Sequence, residues 1–216
     1  MENTQIIKPK PILVLLLNAF LPVVLAFLYG MLTGGVIPEQ TMIITCFATA
    51  ITIIISYFFI REEINQCFRD ITSITHFIFW IVIMWIVFYI GNSVIQFCLQ
   101  YFMDITAIPT NENWIEGMVD SSYIAAIIYG GVLAPISEEL AYRYGLIGTN
   151  NKYVVLKVIF SSVIFGVAHV SGGPMIYSIH YIFMGFGFAF LYKKTNNILY
   201  PIGFHIFNNM VGLLLF

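Results

Sequence analysis

Ala134-Pro135-Ile136-Ser137-Glu138-Glu139-Leu140-Ala141-Tyr142-Arg143 places two adjacent carboxylates and a guanidinium inside an apolar run, Ser121–Ile147. A charged side chain in hydrocarbon costs about 3 kcal/mol or more, so ionisable residues kept there mark a functional site by default. The surrounding chain shows that hydrocarbon is the relevant solvent. Of its 216 residues 60% are hydrophobic and 9% charged, against roughly 25% charged in soluble domains. That much apolar surface cannot be hidden in a water-soluble core.

A helix crosses the bilayer with about 20 apolar residues. Seven runs qualify as spans: Ile12–Met31, Met42–Ile60, His76–Phe102, Ser121–Ile147, Val154–Val170, Ile176–Tyr192 and Ile198–Phe216. The first is too long for a signal-peptide core of ~7–15 residues and is expected to be retained. Ile64–Ser73, with Arg69 and Asp70, reads as a short interfacial linker. The fold class expected is all-α, a polytopic bundle of about seven transmembrane helices in a single membrane domain, 1–216. Within it, 121–216 is expected to form the core that carries the candidate site residues, and 11–102 supplies three additional spans. No internal repeat or low-complexity tract divides the chain.

The basic connections alternate with the others. Lys8 and Lys10 precede the first span, Arg61 and Arg69 follow the second, Lys152 precedes the fifth, and Lys193 and Lys194 follow the sixth. Glu39, then Asp104, Glu112, Glu116 and Asp120, then the uncharged Ser171-Gly172-Gly173-Pro174, occupy the opposite side. The positive-inside rule puts the N-terminus in the cytoplasm and the C-terminus outside. A net charge of −2 without a large basic cluster excludes nucleic acid as a partner. Cys46 and Cys98 fall in apolar runs and Cys67 in the polar linker; without C-x-x-C spacing they give neither a disulfide framework nor a cysteine zinc site.

Three segments bear chemistry. Glu139 and Arg143 stand at i and i+4 and face one another along a helix, which neutralises one acid and leaves Glu138 free. Successive helical side chains diverge by ~100°, so the two acids point in different directions. His169 ends Phe165-Gly166-Val167-Ala168-His169, and His205 and Asn209 share a helix face in the last span. At ~1.5 Å per residue, Glu138, His169, His205 and Asn209 lie roughly 15, 23, 11 and 17 Å from the cytoplasmic ends of their helices. Tilt or a kink can close that gap, and Gly130, Gly131 and Pro135 supply one just before the acids. A carboxylate beside an imidazole can take a proton from water, and a second imidazole with an amide N–H can hold a carbonyl oxyanion. Alternatively, Glu138, His169 and His205 could ligate zinc with a position open for water. No H-E-x-x-H motif is present, and spacing alone does not choose between the two. Ser137 reads as a packing hydroxyl, and His76 and His180 as structural.

The three motifs, Glu138-Glu139-Leu140-Ala141-Tyr142-Arg143, then Phe165-Gly166-Val167-Ala168-His169, then His205-Ile206-Phe207-Asn208-Asn209, stand in order. Together they resemble the E-E-x-x-x-R, F-x-x-x-H and H-x-x-x-N/D pattern of the CPBP intramembrane proteases. That group contains the CAAX prenyl endopeptidases and the bacterial bacteriocin-processing, or Abi, proteins. The resemblance covers roughly Ser121–Phe216. It implies an intramembrane endopeptidase reached from the cytoplasm, with Glu138 as general base beside His169 and His205 with Asn209 on the oxyanion side. Glu139 and Arg143 would support Glu138. Members are often labelled metalloproteases, and a metal-free glutamate mechanism is also argued. Many members carry glycine directly after the arginine, whereas here Tyr144 intervenes before Gly145. A bacterial plasma membrane is the expected location, and a membrane-associated peptide or protein the expected substrate. The other readings are a non-enzymatic immunity or regulatory membrane partner, and a proton-coupled transporter.

Overall fold

The computed structural model describes residues 9–33, 38–105, 122–170 and 174–215. Lys8, the acidic residues Glu112, Glu116 and Asp120, the Ser171-Gly172-Gly173 connection and Phe216 fall outside them. All regular structure among the described residues is helical. We number the helices α1 (Pro9–Thr33), α2 (Pro38–Asp70), α3 (Ile74–Met103), α4 (Tyr123–Ile147), α5 (Val154–Ala168), α6 (Ser178–Thr195) and α7 (Leu199–Leu215). A 3-10 turn, Met175–Tyr177, leads into α6. Five of these helices (α1, α2, α3, α4 and the turn with α6) are long and apolar enough to cross a membrane. The other two, α5 and α7, have 15 and 17 residues. At ~1.5 Å per residue α5 rises about 23 Å, short of a hydrocarbon core of about 30 Å. The residue that caps its C-terminus is His169.

The polarity of the bundle is inverted relative to a soluble domain. Phe20, Val23 and Phe27 of α1 and Phe47 and Phe58 of α2 point outward, while Thr49, Thr52 and Ser56 of α2 are buried. In lipid, outward apolar side chains lose nothing, and small or polar residues let helices approach and hydrogen-bond. The protein is a multi-pass membrane protein built on that rule.

Close helix contacts are made at glycines. A Cβ at Gly145 of α4 would sit 3.1 Å from the Leu15 backbone and 3.2 Å from the Pro11 carbonyl, so α1 lies directly on α4 there. At Gly166 of α5 it would meet the Ile182 amide at 2.7 Å, and at Gly185 of α6 the Ser162 backbone at 2.9 Å. The glycine displaced by one place from the family pattern, Gly145, is thus the seat of the α1 contact.

The expected linker at Ile64–Ser73 is corrected. Helix α2 continues through Asp70, with a kink at Ile60 (φ −120°, ψ 20°), and Cys67 lies in the helix rather than a loop. Local polar pairs sustain these last turns. Gln66 donates to Asp70 at 2.7 Å, Arg69 donates to Gln66 at 2.6 Å, and Lys10 of α1 donates to Glu63 at 3.0 Å. Such i,i+3 and i,i+4 pairs carry a polar helix where an apolar stripe is missing. The remaining spans shift by a few residues at their ends.

The alternation of basic connections makes a prediction about orientation. Single cysteines placed at Asn196, in the connection between α6 and α7, and at Asn113, outside the described residues, are expected to label from opposite faces, Asn113 from outside. Labelling of both from one face would contradict seven spans.

Candidate active site

Helix α4 is two short α segments separated and followed by π-helical turns. Tyr123–Ala126 is α, Ile127–Leu133 π, Ala134–Glu139 α and Leu140–Ile147 π. π-Turns inside helices frequently accompany functional sites. Here the sequence supplies a cause. In the first π stretch the Ala134 amide donates to the Tyr129 carbonyl, five residues back. In the same register the Gly130 carbonyl would face position 135, but Pro135 has no N–H. Asn209 of α7 takes the vacant place, its Nδ2 donating to the Gly130 oxygen at 2.9 Å.

The six-residue α segment so framed ends in the two acids. Glu139 is fully buried and lies between two cationic or potentially cationic groups. Its Oε2 is 3.2 Å from Arg143 Nε, and its Oε1 is 2.9 Å from His205 Nδ1. The expected i,i+4 pair is therefore present. The Arg143 guanidinium also donates from Nη2 to the Gly185 carbonyl at 3.3 Å. Its Cζ lies 4.6 Å from the Phe165 ring centre and 5.0 Å from that of Phe188. Aromatic faces carry negative potential, so a guanidinium between them is stabilised at low hydration cost.

Glu138 faces elsewhere. Its Oε2 is 3.7 Å from His169 Nε2 and 3.7 Å from His205 Nε2. Both separations exceed direct hydrogen-bond lengths. The two acids thus approach one ring, His205, at its two nitrogens. The divergence is real, and the imidazole is wide enough to be reached from both sides.

Tautomers follow from partners. His169 Nδ1 lies 2.7 Å from the Phe165 carbonyl, which can only accept, so Nδ1 carries the proton and Nε2 of the neutral ring presents a lone pair toward Glu138. The Tyr181 ring stacks on His169 at 5.0 Å and holds its plane. His205 Nδ1 likewise donates to the Glu139 carboxylate, so Nε2 bears a proton only in the imidazolium form. The Phe188 ring stacks on His205 at 4.3 Å.

Asn209 sits one turn beyond His205 and is engaged with Gly130, a partner that sequence reading missed. Pro135, five residues on from Gly130, was the available signal. The same logic operates in α1. Pro22 leaves the Asn18 carbonyl without its i+4 donor, and Ser137 Oγ lies 3.3 Å from that oxygen and 3.1 Å from Asn18 Oδ1. Ser137 beside the acids is thus a packing hydroxyl, as expected. His76 is pinned by Tyr200 and Trp80, each at 3.0 Å, and His180 contacts Asn92 at 3.2 Å.

Asn209→Ala is expected to cost about 1–3 kcal/mol by stranding the Gly130 carbonyl. Adding Pro135→Ala, which restores an amide donor, should recover much of that stability. Thermal unfolding in detergent of the single and double variants checks this. No recovery would contradict the proline-orphan account.

A zinc ion held by Glu138, His169 and His205 needs all three donors at about 2.0–2.2 Å from one point. Glu138 Oε2 lies 3.7 Å from each histidine Nε2, and these three are the residues that would hold such an ion.

Comparison with known proteins locates this arrangement. Residues 120–211 match the family described as Rce1-like, Type II CAAX prenyl endopeptidase. Over 86 residues, 38% of the chain, it is 36% identical to the "Putative membrane peptidase YdiL" of Bacillus subtilis (strain 168). Over 105 residues, 47% of the chain, it is 34% identical to an "Uncharacterized protein" of Mycoplasma capricolum subsp. capricolum. These stretches take in 34% and 30% of the two relatives' own lengths. No solved structure matches. The stretch that resembles the Rce1-like family, 120–211, takes in α4, α5, α6 and most of α7.

Proposed function

We propose that the protein is an intramembrane endopeptidase that hydrolyses a peptide bond of a membrane-associated peptide or protein. The observation that carries this reading is the position of Glu138. It stands within 3.7 Å of two imidazole Nε2 atoms, while the neighbouring acid is already paired with Arg143. The nucleophile in this reading is a water held by Glu138 beside the two imidazoles. Glu138 accepts its proton, and the oxygen attacks the scissile carbonyl carbon. The oxyanion then accepts from Nε2–H of doubly protonated His205 and from the second amide N–H of Asn209. Glu138 returns the proton to the departing amine. His169, its tautomer fixed by Phe165, orients the water through Nε2.

The chain lacks a compact zinc-ligand motif and supplies an amide at Asn209 suited to the oxyanion, so cleavage is expected to persist in a strong chelator, measured on a membrane peptide in proteoliposomes. Loss of cleavage restored by zinc would replace glutamate activation with a metallo mechanism. The single membrane domain, the cytoplasmic N-terminus and the bacterial plasma membrane belong to the same proposal. So do peptide maturation of the bacteriocin-processing kind and a regulatory membrane partner.

A further inference from the structure

A cavity of about 290 Å³ opens where four helix ends meet: the last turns of α2 and α6 and the first turns of α3 and α7. None of Glu138, His169 and His205 lines it. We propose that it binds the headgroup of a membrane phospholipid that carries both a phosphate and a primary ammonium, an ethanolamine phospholipid. The proposal does not depend on the endopeptidase reading.

Position is the first argument. The α2–α3 and α6–α7 connections, flanked by Arg69 and Lys194, fall on the face that the positive-inside rule assigns to the cytoplasm. They touch one another: Asn197 Nδ2 donates to the Cys67 carbonyl at 2.7 Å, and its Oδ1 accepts from the Leu199 amide at 3.0 Å. Trp80 lines the cavity, and its ring meets those of Phe79 at 6.0 Å and Phe190 at 6.2 Å. Both phenyls are exposed on the apolar outer surface. One wall therefore borders the acyl-chain region, with a tryptophan at the boundary, where this residue is enriched.

The donors are the second. Trp80 Nε1 can only donate and lies 3.0 Å from His76 Nε2, so Nε2 accepts and the ring proton sits on Nδ1. Nδ1 then donates to the Tyr200 oxygen at 3.0 Å, which leaves the Tyr200 O–H hydrogen for a guest. Tyr200 is 5% exposed, and a buried donor calls for an acceptor. Lys194 also lines the cavity and enters no ion pair among the described residues. A hydroxyl hydrogen and an ammonium are suited to phosphate oxygens.

Charge balance is the third. Asp70 lines the same cavity, accepts from Gln66 at 2.7 Å and likewise enters no ion pair among the described residues. A purely anionic headgroup would gain Lys194 but meet Asp70. A zwitterion satisfies both. Ethanolamine offers the carboxylate N–H donors, whereas a choline trimethylammonium has none. At ~30 Å³ per water the volume equals that of roughly ten waters, room for a phosphate, an ethylene bridge and an ammonium.

Native mass spectrometry of the full-length protein in detergent tests this. The probes are phospholipids of matched acyl chains with ethanolamine, choline or glycerol headgroups. The wild type is expected to bind one ethanolamine lipid about tenfold more tightly than either of the others, the scale of a hydrogen bond to a charged group. Lys194→Gln should weaken that lipid about tenfold. Asp70→Asn should abolish the preference over choline. Both residues are exposed, so the variants are expected to fold. Equal binding of the three headgroups by the wild type, a preference for choline or glycerol, or an unchanged profile in either variant overturns the site. Glycerophosphoethanolamine, the same headgroup without acyl chains, separates a lipid from a soluble phosphoester. It is expected not to compete at a concentration equal to the lipid's, and competition there overturns the lipid assignment.

Discussion

Purified Glu138→Gln is expected to keep its fold and lose cleavage by roughly 10²-fold or more, because the amide preserves shape but cannot take a proton. Size-exclusion and thermal profiles should match the wild type. Peptide binding should persist, because the substitution removes the base and leaves the site's shape unchanged. The effect belongs to kcat. Undiminished cleavage would remove Glu138 from the chemistry and with it the reading of the site.

Glu139→Gln is expected to fail differently. It strands Arg143, a fully buried cation whose other partners among the described residues are the Gly185 carbonyl and the faces of Phe165, Phe188 and Tyr142. An uncompensated buried charge costs about 3–5 kcal/mol. Thermal unfolding in detergent should therefore drop by many degrees. The same substitution loosens His205, whose Nδ1 partner is Glu139 at 2.9 Å. A variant as stable as the wild type would contradict the role of the Glu139 pair as the anchor of the site. The contrast between adjacent acids separates a reacting group from a supporting one.

Much of this was legible in the chain. Charge in an apolar run pointed to the candidate site, and i,i+4 spacing named the Glu139–Arg143 pair. Hydropathy gave the helical bundle. The linker at Ile64–Ser73 was misread because polarity was taken as irregular structure, when Gln66, Arg69 and Asp70 satisfy one another on a helix. The shared approach of both acids to His205 was not legible. It depends on ring width and on the angle between α4 and α7, neither of which periodicity encodes. The carbonyls freed by Pro22 and Pro135 lay between. Each proline announces an orphan acceptor, but its partner, Ser137 or Asn209, comes from another helix and emerges only in three dimensions.

The most direct test of the central claim compares peptides extracted from membranes of cells carrying the wild type or Glu138→Ala, matched for protein level. The account predicts fragments with new termini within or beside apolar segments, present with the wild type and missing with the variant. Identical peptide profiles, with both proteins folded in the membrane, would contradict it.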